Sequence, residues 1–362
     1  MQKLFRLPDA TWAASSIVRV DLDSLPPRHR VRKLQLLFDL SGTKDVADAL
    51  DGNLFPLAVS RITIGNLVNI HGWGLWQLMK QVYGRVPWDP TDIPGSGTTF
   101  DHEFALSIPF HDPRQPSPTD GALLVEALQA QSLEIEFAAA AVHGVGNLVL
   151  TAGTVRVLAD LIHGSAVPQV NQIGYEDPGA TDFELKKGIY KDYFILDGTG
   201  SGTITRAEVT SVDLNADGDQ VMSSVRHEQI VDAYNLEGMR DSSAELAHNA
   251  AERLPLIWHD QSGKSNLSKQ VAVEKAAQVR LTGSITAPRG VFWRVFPKDE
   301  ATIARMAEAT GVDMTDRIYE PQTATKTVPR AMNRSARNNR WTKKARLLFN
   351  SLGGKARRTP TV

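Results

Sequence analysis

Apolar and polar residues alternate with a period of two in many short segments of this chain. In the first of them Leu34, Leu36 and Phe38 fall on one face, a pattern that predicts a half-buried strand. Strand-like segments lie at 33–40, 59–64, 104–110, 132–137, 147–162, 193–196, 203–214, 278–285 and 291–296. The chain is therefore predicted to consist mainly of short β-strands.

Helical periodicity is confined to a few short segments. The pattern predicts helices at 73–83, 121–131, 242–254 and 299–309. The third begins with Ser242 and Glu245 in capping-box register. Because strands and helices do not alternate regularly, the pattern favours all-β sandwiches over a doubly wound α/β sheet.

A segment rich in Gly, Pro, Asn and Asp separates two halves of similar layout, each long enough for its own core. The predicted organisation is an N-terminal arm at 1–32, a first β domain at 33–165, a linker at 166–188, a second β domain at 189–298, a helix and extension at 299–322, and a basic tail at 323–362. Two tandem domains with a charged tail are therefore expected.

Charge is distributed unevenly along the 362 residues. The formal net charge is −1, yet residues 323–362 carry 11 Lys and Arg and no Asp or Glu. Residues 1–322 therefore carry −1 − 11 = −12. An acidic body with a basic tail indicates two surfaces with different partners. The chain has no cysteine, which excludes disulfides, thiolate metal sites and cysteine nucleophiles.

Three stretches of the chain resemble a known family. They are 50–57 with 59–64 and 72–75, then 104–110 with 119–124 and 133–137, and finally 290–293. In order and spacing they resemble the double jelly-roll major capsid proteins of tailless icosahedral bacteriophages that enclose a membrane, the tectivirus-like lineage. The likeness covers 33–165, is weaker over 181–300 and does not reach the tail.

The resemblance implies an all-β fold of two tandem eight-stranded jelly rolls with short helical excursions and a basic tail of helical character. It also implies a homotrimer with a pseudo-hexagonal outline, in contact with neighbouring capsomers, penton proteins and other minor capsid proteins. The protein would then lie in the capsid shell of a virion assembled in the host cytoplasm. Neither a cofactor nor a catalytic residue is expected.

The basic tail has a helical, amphipathic pattern. Trp341, Ala345 and Leu348 recur at helical spacing, with basic residues between them. A helix of this kind lies on an anionic membrane surface, or neutralises phosphates of a packaged genome. A third interpretation is a solvated terminus. The residues predicted to contact membrane or nucleic acid are Arg337, Arg340, Trp341, Lys343, Lys344 and Arg346.

An acidic run in the second half has two interpretations. Asp213, Asn215, Asp217 and Asp219 have the spacing of the start of a Ca²⁺-binding loop. The twelfth position of such a loop should be Glu, and here it is Ser224. The alternative is a hairpin turn in which Asp217 and Gly218 supply left-handed backbone geometry. The turn is favoured, and a structural Ca²⁺ site stays open.

Two other classes of function remain compatible with the sequence. Many functions share β-sandwich folds, so a carbohydrate-binding protein or an enzyme is one alternative. A minor virion protein, such as a vertex or spike protein, is the other. The pattern contains no convincing catalytic constellation, which favours a structural role.

Overall fold

β-strands dominate the computed structural model. It describes residues 2–13, 16–44, 52–83, 98–114, 122–129, 131–138, 141–142, 147–163, 171–198, 202–236, 250–258, 271–273 and 276–295. All of these belong to one compact unit, Met1–Asp313, whereas the second unit, Met314–Val362, lies outside the described residues. None of the described helices is long and apolar enough to cross a membrane.

The elements follow one another in two series. The first contains β1 (Gln2–Arg6), β2 (Ala10–Ala13), β3 (Val18–Asp21), β4 (Arg30–Lys44), a 3₁₀ helix (Gly52–Ala58), β5 (Val59–Ile64), β6 (Val68–Ile70), α1 (Gly72–Tyr83), β7 (Thr99–Pro109), β8 (Leu123–Leu124), α2 (Val125–Gln129), β9 (Ser132–Phe137), β10 (Ala141–Val142) and β11 (Asn147–Ile162). The second contains β12 (Asn171–Glu176), β13 (Asp182–Leu185), β14 (Gly188–Leu196), β15 (Ile204–Thr205), β16 (Ser211–Ala216), β17 (Asp219–Arg226), α3 (His227–Leu236), β18 (Ala250–Ala251), β19 (Leu254–Ile257), β20 (Val271–Val273), β21 (Ala277–Thr282) and β22 (Arg289–Val295).

The first jelly roll consists of two sheets that face each other. One has the order β1-β11-β4-β7, and the other contributes β6-β5-β9-β3. Their inner faces carry the alternating apolar residues that the sequence pattern identified. Phe38 of β4 stacks on Phe104 of β7 with ring centroids 4.4 Å apart, and Phe137 of β9 meets Phe38 edge-on at 6.0 Å. These rings close the core between the sheets.

The N-terminal residues contribute strands to both sheets of the first jelly roll. β1 and β2 pair with the edge of β11, and β3 pairs with β9. Buried Trp12 lies 4.7 Å from Phe137, measured between ring centroids. The segment predicted as an arm at 1–32 therefore includes strands that extend the first roll.

The second jelly roll has the same two-layer plan. A sheet of order β13-β21-β16-β17 faces β12-β22-β14-β19. The core between them contains Phe183 of β13 and Tyr193 of β14, whose ring centroids are 6.3 Å apart. Helix α3 adds Ile230, Val231 and Tyr234 to this core. Each roll therefore has two layers with four principal strands in each.

One continuous sheet joins the two rolls. β12 of the second roll pairs in parallel with β6 of the first, through Ile173↔Val68 and Gly174↔Asn69. The resulting shared sheet runs β19-β14-β22-β12-β6-β5-β9-β3, with β20 attached to β14. The rolls are therefore connected by backbone hydrogen bonding as well as by the chain.

The segment predicted as a linker at 166–188 contains two strands, β12 and β13. The Gly, Pro, Asn and Asp content of this segment suggested a connector. Two of these residues, Gly174 and Asn171, instead have packing roles in the folded chain. A Cβ on Gly174 would lie 2.5 Å from the ring of Phe292, so only glycine fits there. Asn171 is buried and donates its side-chain amide to the Phe110 carbonyl.

Other predictions have mixed outcomes. The strands at 59–64 and 147–162 and the helix at 73–83 are confirmed. The strand at 203–214 is divided by a turn at 206–208. The helix at 242–254 is wrong at its end, because Ala250–Ala251 and Leu254–Ile257 are strands. Residues 242–249 and the helix predicted at 299–309 lie outside the described residues.

Candidate functional site

Helix α1 lies at the joint between the two jelly rolls. Ten of its residues are buried, so it packs against protein on nearly all sides. His71 caps its start: Nδ1 accepts a hydrogen bond from the Gly74 N–H at 2.8 Å. Burial, with the nearby Arg289, lowers the pKa of His71 to about 4. The imidazole is therefore neutral near pH 7, as a capping acceptor must be.

Polar side chains of α1 reach the second roll. Gln77 Oε1 accepts a hydrogen bond from Arg253 Nη1 at 2.7 Å. Gln81 Nε2 donates to Asp192 Oδ1 at 2.7 Å, and Lys80 forms an ion pair with Glu252. Because these partners lie more than 100 residues away in the chain, they fix the orientation of α1 against the second roll.

A buried ion cluster lies beside α1. Arg114 of the first roll donates from Nε to Asp112 Oδ1 and from Nη1 to Asp192 Oδ1, both at 2.9 Å. The Arg114 side chain is 2% exposed, and both carboxylates are fully buried. Lys191 Nζ lies 3.8 Å from Asp112 Oδ2. The cluster therefore contains two positive and two negative side chains, and no net charge is buried.

Arg114 and Asp112 of this cluster are both held in their charged forms. Burial alone would lower the pKa of Arg114, but the carboxylates of Asp192 and Asp112 raise it above its ordinary value. Burial alone would raise the pKa of Asp112, but Arg114 and Lys191 hold it below its ordinary value. Arg114 and Asp112 therefore both stay charged across the neutral pH range.

The backbone of β14 directs Asp192 into the joint. A β-bulge lies between Tyr190 and Asp192, so both Tyr190 and Tyr193 face the core of the second roll. Asp192 then points to the opposite face, towards Arg114 and Gln81. A bulge is a common way of re-aiming one side chain in a regular sheet.

An indole packs against the cations of the cluster. The ring centroid of Trp293 in β22 is 5.8 Å from Arg114 Cζ and 5.3 Å from Lys191 Nζ. Trp293 is completely buried. Nearby, a Cβ on Gly74 would lie 3.1 Å from Val291 Cγ2, so α1 and β22 approach closely. The described side chains of the joint are therefore buried and closely packed.

The acidic run that suggested a Ca²⁺ loop forms a hairpin between β16 and β17. Asp217 and Gly218 have φ angles of 53° and 93°, which confirms the predicted turn. Asp213 Oδ1 accepts from the Ser224 N–H at 2.6 Å, and Asp217 Oδ1 accepts from the Ala276 N–H at 3.0 Å. Hydrogen bonds at the hairpin therefore explain the positions of the Asp213 and Asp217 carboxylates. The Ca²⁺ site that also includes Asn215 and Asp219 stays a prediction.

Two further observations concern the predicted sites. In the described ranges, no three His, Cys, Asp or Glu side chains gather as metal ligands. The predicted tail contacts, from Arg337 to Arg346, lie outside the described residues. Sequence reasoning missed the cluster of Asp112, Arg114 and Asp192. Its one local signal was Lys191-Asp192, a charged pair inside an apolar strand.

Two tandem jelly rolls that share a sheet and enclose a buried joint define a double jelly-roll fold. No family model and no curated protein matches the chain. Solved structures do: the crystal structure of the STIV major capsid protein superposes with a TM-score of 0.56 at 12% identity, over 82% of this chain and 96% of that one.

Two further structures extend this comparison. A chain in the atomic structure of Sulfolobus turreted icosahedral virus gives a TM-score of 0.54 at 12% identity, over 88% of this chain and 99% of that one. The major capsid protein of bacteriophage PM2 gives a TM-score of 0.47 at 10% identity, over 83% of this chain and 99% of that one. The first two likenesses confirm the predicted fold, an all-β double jelly roll.

Proposed function

We propose that this protein is the major capsid protein of an icosahedral virus, with a structural and not a catalytic role. The observation that carries the proposal is the fold: two jelly rolls in one chain, superposing on 96% of the STIV major capsid protein. Three such chains supply six similar units, which fit a pseudo-hexagonal capsomer. The number of chains in the purified particle tests the proposal, and we expect three.

The buried joint supports this role. A capsomer needs its two rolls in one fixed orientation, because each roll must meet different neighbours in the shell. The shared sheet and the cluster around Arg114 both oppose rotation of one roll against the other. Packed interiors of this kind deform little.

The proposed partners follow from this role. They are two further copies in the capsomer, neighbouring capsomers, penton proteins and other minor capsid proteins. The proposed location is the capsid shell of the virion, and assembly takes place in the host cytoplasm. Closed symmetry limits each capsomer to a fixed number of chains.

The basic tail is proposed to face the interior of the shell. Its 11 positive charges contrast with the −12 of residues 1–322. Such a segment binds anionic lipid or packaged nucleic acid without reading sequence. The proposed contact residues remain Arg337, Arg340, Trp341, Lys343, Lys344 and Arg346.

Deletion of residues 330–362 tests this assignment. We expect the truncated protein to keep the unfolding temperature and oligomeric mass of the full chain, because the described strands and both cores lie before residue 296. Its sedimentation with anionic vesicles and its retention on DNA should fall by at least about tenfold at low salt. Loss of folding, or unchanged binding to both ligands, would contradict the assignment.

A further inference from the structure

Two histidines meet at one end of the first jelly roll. The antiparallel pairing of β11 with β4 ends at Ile162↔Arg30, so the next position along the two chains places His163 opposite His29. Residues directly opposite in such a pair have Cβ atoms about 4.5–5.5 Å apart. The two imidazole rings are in contact, with ring centroids 4.0 Å apart and planes inclined at 46°.

This pair differs from the other histidines that the structure describes. Its members are open to solvent, because the His163 side chain is exposed and that of His29 is half-buried. An ion arriving from solvent therefore reaches both imidazoles. The other described histidines are buried or occupied as a helix cap: His102, His111 and His227 are buried, and His71 caps α1.

The backbone fixes the tautomer of His29. Its Nδ1 lies 2.9 Å from the carbonyl oxygen of Pro27, and because a carbonyl only accepts, Nδ1 carries the proton. Nε2 of the neutral ring therefore keeps its lone pair. Histidines that bind metal ions commonly donate their other ring N–H to a backbone carbonyl, which orients the ring and raises the basicity of the ligand nitrogen. His29 already makes this hydrogen bond.

The spacing of the rings is close to that of two imidazoles on one ion. The backbone of His29 is anchored, since its carbonyl accepts from the Val125 N–H at 3.1 Å, and His163 directly follows β11. Metal–nitrogen bonds of about 2.0–2.1 Å place the centroids of two adjacent imidazole ligands about 4.5–5 Å apart. The rings therefore need to separate by only about 0.5–1 Å, which the exposed His163 side chain allows by rotation.

Neighbouring charges limit the affinity for a cation. Arg28 and Arg30 flank His29 in the chain, and both repel a positive ion. The charge of Arg32 is compensated by Asp160, whose Oδ2 lies 3.7 Å from Nη1. A site with two protein ligands and these neighbours is expected to bind in the micromolar range, not the nanomolar range.

We propose that His29 and His163 together bind one divalent transition-metal ion of the class of Zn²⁺, Ni²⁺ and Cu²⁺. Imidazole nitrogen suits these ions, whereas Mg²⁺ and Ca²⁺ prefer oxygen ligands. Water fills the remaining coordination positions. The ion clips the start of β4 to the end of β11, which closes a loop of 163 − 29 = 134 residues. The inference is independent of the proposed function.

Isothermal titration calorimetry with Ni²⁺ tests the site in the full-length protein without an affinity tag. We expect His163→Ala and His29→Ala each to weaken one micromolar site by at least about tenfold, because even residues that only orient a metal ligand contribute about 10–100-fold. His143→Ala is the control, since it removes one imidazole and keeps the pair. Mg²⁺ should show no binding that depends on either histidine.

Thermal unfolding gives a second measurement. Saturating Ni²⁺ should raise the unfolding temperature of the unmodified protein, because only the folded chain brings the two imidazoles together. It should not raise that of either alanine variant. If His29→Ala does not fold, His163→Ala decides alone, since its side chain is exposed.

Three results would overturn the proposed site. They are Ni²⁺ binding that is equal in the unmodified protein and both alanine variants, binding that is lost in only one of two folded variants, and equal loss in the His143→Ala control. None of these results changes the number of chains in the particle, so the capsid role is tested separately.

Discussion

Replacing Arg114 by alanine is expected to lower the free energy of unfolding by about 3–5 kcal/mol. The substitution leaves Asp112 and Asp192 buried without the guanidinium that both carboxylates contact. Lys191, at 3.8 Å from Asp112, compensates only part of this loss. Urea unfolding followed by tryptophan fluorescence measures the change.

The matched control is Arg156→Ala. Arg156 also pairs with a carboxylate, Asp39 at 3.3 Å, but both side chains are about 40% exposed. An exposed ion pair contributes at most about 1 kcal/mol. If Arg114→Ala is no more destabilising than this control, the buried cluster does not hold the joint together.

Replacing Trp293 by alanine is the second large expected effect, also about 3–5 kcal/mol. The indole is completely buried and packs on Arg114 and Lys191, so its removal leaves a cavity between the rolls. Thermal and urea unfolding measure the loss. Val149→Ala, at a side chain that is 36% exposed, should change stability by less than about 0.5 kcal/mol. Equal effects of the two substitutions would contradict the packing described for the joint.

The strands of the first half were predictable because each one buries a single face. A period of two is then visible in the sequence, and the strands at 59–64 and 147–162 have the predicted bounds. Strands β14 and β22 bury both faces, which hides the alternation. They were still recognisable as short apolar runs.

Failures of the sequence predictions trace to long-range partners. Ala250–Ala251 carries a helix-favouring composition, yet it pairs with Ile204–Thr205. Tertiary pairing thus overrides local propensity. Helix α3 was missed although Ile230, Val231 and Tyr234 have helical spacing.

The joint could not be predicted from local sequence. Arg114 and Asp192 are 78 residues apart, and neither stands in a recognisable motif. The bulge that turns Asp192 towards Arg114 depends on the pairing of β14 with β22. Only the folded chain brings these charges together, whereas the turn at Asp217 and Gly218 is local and was predicted.

The joint also bears on assembly. A subunit with two independent rolls would present its outer edges at variable angles, and a closed ring would then cost conformational entropy. Coupling through the shared sheet and α1 fixes the two rolls relative to each other. Pre-organisation of this kind favours one ring size.

The number of chains in the particle tests the capsid role most directly. Light scattering behind a sizing column measures the mass of the purified full-length protein. We expect a stable particle with three times the mass of one chain, unchanged on dilution through the micromolar range. A stable monomer or dimer under these conditions would contradict it.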